Sequence, residues 1–362
     1  SDYIVAFAKE RGLYCRQDAR YNVVVKKAGT AGYEKSPALI IQGHIDMVCE
    51  KNADTEHDFL TEPLKLYIDG DDIRARGTTL GADNGIAVAY MLALLDADHI
   101  EHPPIECVFT VEEEIGLIGA KYADISRFRG KKFINLDAEE EGIFTVSCAG
   151  GYRSSMYWDV EKEKIDETYA KVQIILTGLK GGHSGVFIDA GRANAIQLTG
   201  RLLHYMNNNF DYYIGNIESK GKENIICKDV KLTLFVKPDD VERVVNGLNV
   251  YKSIFENEYS LTDTLKMKIE MAGEKTGFEA FPKNLNERLA ATILVIPNGV
   301  MDFSKKIEGL VETSMNMGVI EYVDGRLHLL SSVRSSVSTK KAFIKDKLDN
   351  KIEQFLSINE KE

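Results

Sequence analysis

A histidine and an aspartate separated by one residue, His44 and Asp46, follow an apolar run at residues 39–41. In an extended chain, residues i and i+2 point to the same side, so the imidazole and the carboxylate can emerge together from the end of a buried strand. Metal-binding histidines are often oriented in this way, with one ring nitrogen on the metal and the other bonded to a carboxylate. A hydrogen-bonded pair without a metal is the alternative, and the pattern alone leaves both open.

Asp83 is a second candidate for a metal ligand. It lies in a turn bracketed by Gly81 and Gly85, directly before an apolar helix that we predict to end at about Ala97. Because aspartate is a preferred N-cap residue, a helix cap is the simpler explanation of Asp83 when it is considered alone.

Carboxylates also follow two further predicted strands. Three consecutive glutamates at 112–114 come directly after the apolar strand at 105–111, and Asp137 ends the strand at 133–136. Adjacent carboxylates disfavour joint ionisation, so their charge must be compensated. A divalent cation would do so, and a solvated helix start is the alternative.

The candidate ligands share one position in the predicted architecture, because they follow strands or precede a helix. In open α/β sheets, sites form outside the carboxyl ends of the strands. One shared site explains His44, Asp83, the glutamates and Asp137 better than four independent caps do. Carboxylate oxygens mixed with imidazole suit Zn²⁺, Mn²⁺ or Co²⁺ better than thiolate-preferring metals, so the sequence predicts a metal centre.

The composition is that of a globular protein with a sizeable core. The 362 residues are 44% hydrophobic and 28% charged, which fits two domains. A formal net charge of -11 argues against nucleic acid or an anionic membrane as the main partner. The 5 cysteines are scattered without a C-x-x-C pair, which favours reduced thiols in the cytoplasm. We find neither an apolar stretch long enough to span a bilayer nor a signal peptide.

The predicted elements divide the chain into two halves. The first half, closed by a strand predicted at 142–147, alternates strands and helix as α/β domains do. After the glycine pair at 150–151, helices are predicted to cover one face of a mainly antiparallel sheet, which is an α+β arrangement. In this half we predict a strand followed by a helix at 291–311, and a hairpin that turns at Asp324 and Gly325.

Five motifs resemble the co-catalytic di-zinc exopeptidases, a family that includes aminoacylases and carnosinases. The motifs are, in chain order, GHIDMVCEKN, TTLGADNG, VEEEIGLIGA, INLDAEEEGIFTVSCAGG and LKGGHSG. The resemblance covers nearly the whole chain and is closest to the bacterial Xaa-His dipeptidases. It implies an α/β catalytic domain with a mixed sheet flanked by helices, an inserted α+β lid domain, and a small peptide as the substrate.

The resemblance implies a role for each candidate ligand of the metal centre. His44 and Asp137 would bind the first of two divalent ions, Zn²⁺ or alternatively Mn²⁺ or Co²⁺, and Asp46 would orient the histidine. Asp83 would bridge both ions, and the peptide bond that follows it would be cis. Glu114 would bind the second ion.

The general base would be Glu113, which would take a proton from the bridging water. The family often has an aspartate before this pair of glutamates, whereas this chain has Glu112.

The second half would supply residues that contact the substrate. His183 in the GGHSG loop would donate to the developing oxyanion, within one chain or across a homodimer, and Arg334 would bind the substrate's terminal carboxylate. A loop histidine without function and a surface arginine are the alternatives. Asn194 and Asn316 lie in family-like contexts and would contact the substrate. The other histidines are expected to be solvated or structural, namely His57, His99, His102, His204 and His328.

The resemblance also implies how the chain divides. Residues 1–152 would form the catalytic domain, incomplete at both ends, residues 153–350 the lid, and residues 351–362 the start of a return to the catalytic domain. The family pattern requires a second histidine on the second ion, and we find none in a matching context. The chain is therefore expected to be either a fragment or a truncated gene product, and the expected function is metal-dependent hydrolysis of Xaa-His dipeptides in the cytoplasm. A tripeptidase or N-acyl amino acid deacylase, and a truncated, metal-impaired peptide-binding or dimerisation module, are the alternatives.

Overall fold

The computed structural model of the protein describes residues 1–52, 54–138, 142–271 and 277–357. The chain forms two compact units, Ser1–Val146 and Ser147–Glu362. The first unit thus ends six residues before the predicted boundary at 152, because the strand that starts at Gly150 pairs within the second unit. Among the described residues, no helix is long and apolar enough to cross a membrane.

The first unit contains ten helices and strands within its described residues, and a short 3-10 turn at Ile125–Arg127. Its helices are α1 (Asp2–Glu10), α2 (Ala82–Asp96) and α3 (Ile118–Tyr122). Its strands are β1 (Tyr14–Gln17), β2 (Val23–Lys27), β3 (Leu39–His44), β4 (Leu66–Asp69), β5 (Asp72–Ala75), β6 (Ile105–Thr110) and β7 (Lys132–Asn135).

Five of these strands form one mixed sheet in the order β1-β2-β6-β3-β7. Strands β6, β3 and β7 run parallel, whereas β1 and β2 run antiparallel to their neighbours, which confirms the predicted mixed α/β architecture. In the register of the parallel strands, His44 lies opposite Thr110, and Gln42 lies opposite Asn135. The carboxyl ends of the three strands therefore meet at the same edge of the sheet.

Helices α1 and α2 contribute to the apolar core of this unit. Ile4 and Ala8, four residues apart on α1, pack in one cluster with Met91 and Leu95 of α2 and with Phe109 of the central strand β6. The four-residue spacing places each pair on one face of its helix. This packing holds α2, whose first turn carries Asp83, against the sheet.

An ion pair with a buried carboxylate and a partly exposed lysine lies near the amino end of β6. Glu106 is 3% exposed, and its Oε1 accepts a hydrogen bond from Lys26 Nζ at 2.5 Å. Its Oε2 accepts from the backbone N–H groups of Arg129 and Gly130, each at 2.9 Å. Burial opposes ionisation, but these hydrogen bonds outweigh it and hold the pKa of Glu106 below its usual value.

Removing this carboxylate is expected to destabilise the first unit. Glu106→Ala removes one of the two acceptors of Lys26 Nζ and leaves two backbone N–H groups without theirs, so we expect a loss of about 3 kcal/mol in urea unfolding of the first unit. Because the folded pKa is depressed, the stabilisation is complete above the unfolded pKa of about 4.3 and is lost as the pH falls through the folded value. The exposed Glu10 is the matched control, where alanine should change stability by less than about 0.5 kcal/mol. An equal, small effect of both substitutions would contradict this prediction.

The second unit is built from antiparallel sheets and four helices within its described residues. The helices are α4 (Ala195–Asn209), α5 (Val241–Glu258), α6 (Asn284–Val295) and α7 (Ser338–Ser357). The strands are β8 (Gly150–Asp159), β9 (Glu163–Lys164), β10 (Ala170–Thr177), β11 (Tyr212–Ser219), β12 (Val230–Val236), β13 (Lys266–Met271), β14 (Glu279–Ala280), β15 (Gly299–Phe303), β16 (Val311–Val323) and β17 (Arg326–Ser335).

Two four-stranded sheets dominate the second unit, in the orders β11-β12-β10-β13 and β15-β16-β17-β8. All their pairings are antiparallel, as predicted, and the turn between β16 and β17 lies at Asp324 and Gly325. One apolar cluster joins these sheets to α4, α5, α6 and α7. Residues 351–357, predicted to begin a return to the first domain, continue α7, and 358–362 lie outside the described residues.

Two predictions about individual elements are wrong. Residues 142–147 do not form the predicted strand, and Phe144 and Val146 are 92% and 94% exposed, because no strand of the described residues pairs with the segment. In the region of 291–311, α6 ends at Val295 and β15 follows it, which reverses the predicted strand-then-helix order. The apolar run belongs to α6, which buries residues at helical spacing on one face.

Candidate metal centre

The carboxyl edge of the parallel strands brings the predicted ligands together in the first unit. His44 ends β3, Glu113 and Glu114 follow β6, and Asp137 follows β7. Asp83 reaches the same point from the first turn of α2. Residues 139–141, the second acidic run of the sequence, lie outside the described residues.

His44 is at the centre of the cluster and is 1% exposed. Its Nε2 lies 3.0 Å from Asp83 Oδ1, 3.8 Å from Asp137 Oδ1 and 4.0 Å from Glu113 Oε2. Its Nδ1 lies 2.9 Å from the carbonyl oxygen of Asp46 and 3.4 Å from Asp46 Oδ1. A proton on Nδ1 donates to the carbonyl oxygen of Asp46 and leaves the Nε2 lone pair facing the carboxylates, which is the orientation a metal ligand needs.

Asp46 therefore contacts the histidine mainly through its backbone carbonyl rather than through the predicted carboxylate. The carboxylate has a second contact, because its Oδ2 accepts a hydrogen bond from the backbone N–H of Glu114 at 3.1 Å. One residue thus touches both the histidine and the glutamate turn after β6.

Asp83 is not a helix cap. Gly81 occupies the N-cap position of α2, no side chain caps the helix, and Asp83 has a non-helical backbone with φ -83 and ψ 107. The Asp83–Asn84 peptide bond is cis, which confirms the geometry that the family resemblance implies.

Asn84 is a site residue that sequence reasoning missed. It is 2% exposed, and its Oδ1 accepts a hydrogen bond from the backbone N–H of His44 at 3.2 Å. Its Nδ2 donates to the carbonyl oxygen of Leu136 at 2.7 Å and to Asp137 Oδ1 at 3.1 Å. The amide therefore ties the ends of β3 and β7 together, and the available signal was its position beside Asp83 in the TTLGADNG motif.

The cluster concentrates negative charge in a partly buried site. Burial raises the pKa of Glu113 and Asp137, and the neighbouring carboxylates add to both shifts. Burial and the charge of Asp83 likewise raise the pKa of Glu114. For His44, burial lowers the pKa, but the hydrogen bond with Asp83 and the surrounding carboxylates outweigh it and raise the value. A positive charge at this point would relieve the repulsion.

Among the residues that the structure describes, two sets of three side chains could each hold a metal ion. One set is His44, Asp83 and Asp137, and the other is His44, Glu113 and Glu114; in each, one ligand atom per residue lies within 4.8 Å of the others. Imidazole nitrogen with carboxylate oxygens is a donor set that fits Zn²⁺ and related divalent ions. The residues present therefore fit a metal centre.

In the second unit, the structure places His183 beside Arg334. His183 Nε2 lies 3.4 Å from a terminal nitrogen of the Arg334 guanidinium. A Cβ at Gly185 would lie 2.9 Å from His183 Cε1 and 3.3 Å from Arg334 Cζ, so the loop backbone passes close over both side chains. Arg334 is half-buried on β17, which disfavours a purely surface role.

The two predicted asparagines serve the framework of the second unit. Asn194 is 1% exposed and caps α4, with its Oδ1 accepting from the backbone N–H groups of Ile196 and Gln197. Asn316 is 2% exposed, and its Nδ2 donates to the carbonyl oxygens of Glu223 and Ile225. Both amides have internal partners, and their contact with substrate stays a prediction.

The remaining histidines lie outside both candidate ligand sets. His57 lies 3.3 Å from Glu62, and His102 Nδ1 lies 2.8 Å from the carbonyl oxygen of Pro103. His328 stacks on Tyr157 with ring centroids 4.4 Å apart. These contacts are structural. His99 and His204 are exposed.

Comparison with known protein families gives two matches along the chain. Residues 40–218 match the model of peptidase family M20/M25/M40, and residues 174–263 match the peptidase dimerisation domain. The first match contains the whole candidate metal centre, and the second begins within β10.

Two relatives are similar over almost the whole chain. The cytosol non-specific dipeptidase of Escherichia coli (strain K12) is 34% identical over 352 residues, which cover 97% of this chain and 72% of that protein. The crystal structure of aminoacylhistidine dipeptidase from Vibrio alginolyticus matches with a TM-score of 0.78 at 35% identity, covering 98% of this chain and 72% of that one.

Proposed function

Since the chain belongs to peptidase family M20/M25/M40, a family of hydrolases that act on peptide bonds, we propose that it is a metal-dependent dipeptidase. The observation that carries the proposal is the convergence of His44, Asp83 and Asp137 from three separate elements onto one point. Carboxylates that lay together by chance would have no reason to surround the Nε2 atom of a buried imidazole.

The metal-binding residues follow from this cluster. His44, Asp83 and Asp137 would hold one ion, and Asp83 with Glu114 would hold a second one, with Asp83 shared. Zn²⁺ is the proposed metal, and Mn²⁺ and Co²⁺ fit the same donors. When bound, such ions lower the pKa of a water molecule and polarise the scissile carbonyl.

Glu113 is the proposed general base. Its Oε2 lies 4.0 Å from His44 Nε2. Glu113 belongs to one of the two candidate ligand sets, and the family resemblance assigns it the role of base rather than ligand. A carboxylate there would take a proton from the attacking water and deliver it to the nitrogen of the leaving amine. Asp46 orients His44 in this scheme.

For the second unit we propose that His183 donates a hydrogen bond to the oxyanion and that Arg334 binds the terminal carboxylate of the substrate. Arginine suits the latter role because its planar guanidinium can bind both carboxylate oxygens. The contact between Arg334 and His183 Nε2 places the two proposed substrate contacts next to each other in this unit.

The substrate class and setting are proposed from the relatives. Their names describe a non-specific dipeptidase and an aminoacylhistidine dipeptidase, so we propose dipeptides of the Xaa-His type as substrates, in the cytoplasm. The match of residues 174–263 to the dimerisation domain supports a homodimer.

The test is an assay of the purified protein on Xaa-His dipeptides, with and without a chelator. We expect amine release that is lost with chelator and restored by Zn²⁺, Mn²⁺ or Co²⁺. Tripeptides and N-acetyl amino acids in the same panel separate the tripeptidase and deacylase alternatives. Chelator-insensitive turnover would contradict metal dependence, and no turnover together with fewer than one bound ion per chain would favour the binding-module alternative.

A further inference from the structure

The loop that carries His183 is attached to a neighbouring segment along one side. The backbone N–H of Ser184 donates to the carbonyl oxygen of Asn224 at 2.7 Å, and that of Ile226 donates to the carbonyl oxygen of Gly182 at 2.9 Å. His183 itself forms an isolated antiparallel bridge with Ile225. Backbone hydrogen bonds thus fix this side of the loop independently of side-chain type.

Arg192 holds the other side of the same loop. One terminal guanidinium nitrogen, NH1, donates to the carbonyl oxygen of Gly181 at 2.5 Å. The guanidinium carbon also lies 4.0 Å from the centre of the Phe187 ring, which is within the range of a cation–π contact. Arg192 therefore bonds to a residue two positions before His183 and stacks on a residue four positions after it.

Phe187 is also hydrogen-bonded to the backbone of the histidine. The backbone N–H of Phe187 donates to the carbonyl oxygen of His183 at 2.9 Å, and that of Val186 donates to the same oxygen at 3.1 Å. A shift of the Phe187 ring would therefore move the turn on which the imidazole is mounted.

Gly182 is shaped to admit the guanidinium. Its φ is +104, and a Cβ built there would lie 2.4 Å from Arg192 NH1 and 2.8 Å from Phe187 Cδ2. These distances are too short for a Cβ. Glycine at this position therefore lets the arginine and the phenylalanine pack closely against the loop backbone. Among the described residues, the guanidinium of Arg192 has no carboxylate within ion-pair distance. Its interactions are directed at the loop instead.

We propose that Arg192 is a positioning residue for His183, setting the place of the imidazole without contacting the substrate. The inference rests on the proposed function, in which His183 stabilises the oxyanion. A displacement of an oxyanion donor weakens an interaction made in the transition state rather than in substrate binding. Loss of Arg192 should consequently reduce kcat and leave KM nearly unchanged.

The experiment compares Arg192→Met, Arg192→Lys and a matched control, Arg243→Met, in the full chain. Arg243 lies on α5 of the same unit, stacks at 5.1 Å on Phe210 and pairs with Asp240, but does not contact the loop. For Arg192→Met we expect kcat on the Xaa-His dipeptide to fall about 10- to 100-fold with KM within about two-fold. Arg192→Lys should recover part of the loss because it can still donate to Gly181, and Arg243→Met should match the wild type.

A second measurement does not depend on turnover. In histidine-labelled protein with 7 histidines, the His183 ring signals can be assigned by His183→Gln and compared between variants by NMR. They should shift in Arg192→Met and stay in place in Arg243→Met. An active wild type with unchanged kcat in Arg192→Met, or unchanged His183 signals, overturns the inference. An inactive wild type counts against the proposed function instead, and the ring signals then still decide the role of Arg192.

Discussion

Glu113→Gln should lower kcat on a dipeptide substrate about 10³-fold while the metal content stays the same. Glutamine keeps the size of the side chain but cannot accept a proton at the position where Glu113 is proposed to do so. The ligands proposed for the first ion, His44, Asp83 and Asp137, are untouched by the change. The measurements are steady-state kinetics and elemental analysis of the same preparation.

The adjacent Glu112 provides the matched control for this experiment. It is exposed and carries a left-handed backbone with φ 55, and none of its side-chain atoms belongs to a candidate ligand set. Glu112→Gln should therefore keep kcat within about two-fold of the wild type, as surface substitutions generally leave a protein little changed. Activity of Glu113→Gln equal to that of Glu112→Gln would remove Glu113 from the role of general base.

Asp83→Ala should abolish both tight metal binding and turnover. Asp83 Oδ1 lies 3.0 Å from His44 Nε2, and its carboxylate is the one proposed to be shared by both ions. Loss of an outer-shell partner alone commonly costs roughly 10- to 100-fold in metal affinity, so loss of a shared ligand should cost more. Metal titration by calorimetry and elemental analysis after dialysis measure the effect.

The control for Asp83→Ala is Asp98→Ala. Asp98 is an exposed aspartate just beyond the carboxyl end of α2, and it belongs to neither ligand set. The Asp98→Ala variant should bind metal as the wild type does. Retention of about two ions by Asp83→Ala would show that the other carboxylates suffice, and the shared role of Asp83 would have to be abandoned.

The local chemistry of the site could be recognised without a structure. His44 and Asp46 lie two residues apart at the end of an apolar run, and that spacing requires only an extended chain to bring both groups to one side. The glutamates after β6 and Asp137 after β7 are likewise marked by the strands that precede them. These are short-range relations, so they can be read along the chain.

Other features of the site depend on contacts between distant segments. The side chain of Asn84 bonds to the backbone of His44, 40 positions earlier, and to that of Leu136, 52 positions later. The residues next to Asn84 in the sequence do not indicate those partners. Asp46 uses its carbonyl for the histidine and its carboxylate for the turn at Glu114, a division that only the backbone path decides. The contact of Arg192 with the carbonyl oxygen of Gly181 likewise depends on the path of the backbone between them.

The incorrect element predictions have a related cause. The apolar residues at 142–147 have strand-like composition, yet a strand exists only where a neighbour accepts and donates its hydrogen bonds. The apolar run before Pro297 has no strand neighbour either, and it forms the end of α6 because residues of that helix pack into the second core at helical spacing. Propensity is weak compared with such tertiary packing.

The sequence by itself therefore determined the types of candidate ligand, their order, the family and the α/β class, because strand ends and motif spacing depend on neighbouring residues. Only the tertiary structure decided which ligands meet. The parallel register of β6, β3 and β7 brings His44, the glutamates and Asp137 to one edge, and the packing of α2 adds Asp83. Those contacts arise from burying apolar surface between segments far apart in the chain, and that free energy is a property of the whole fold.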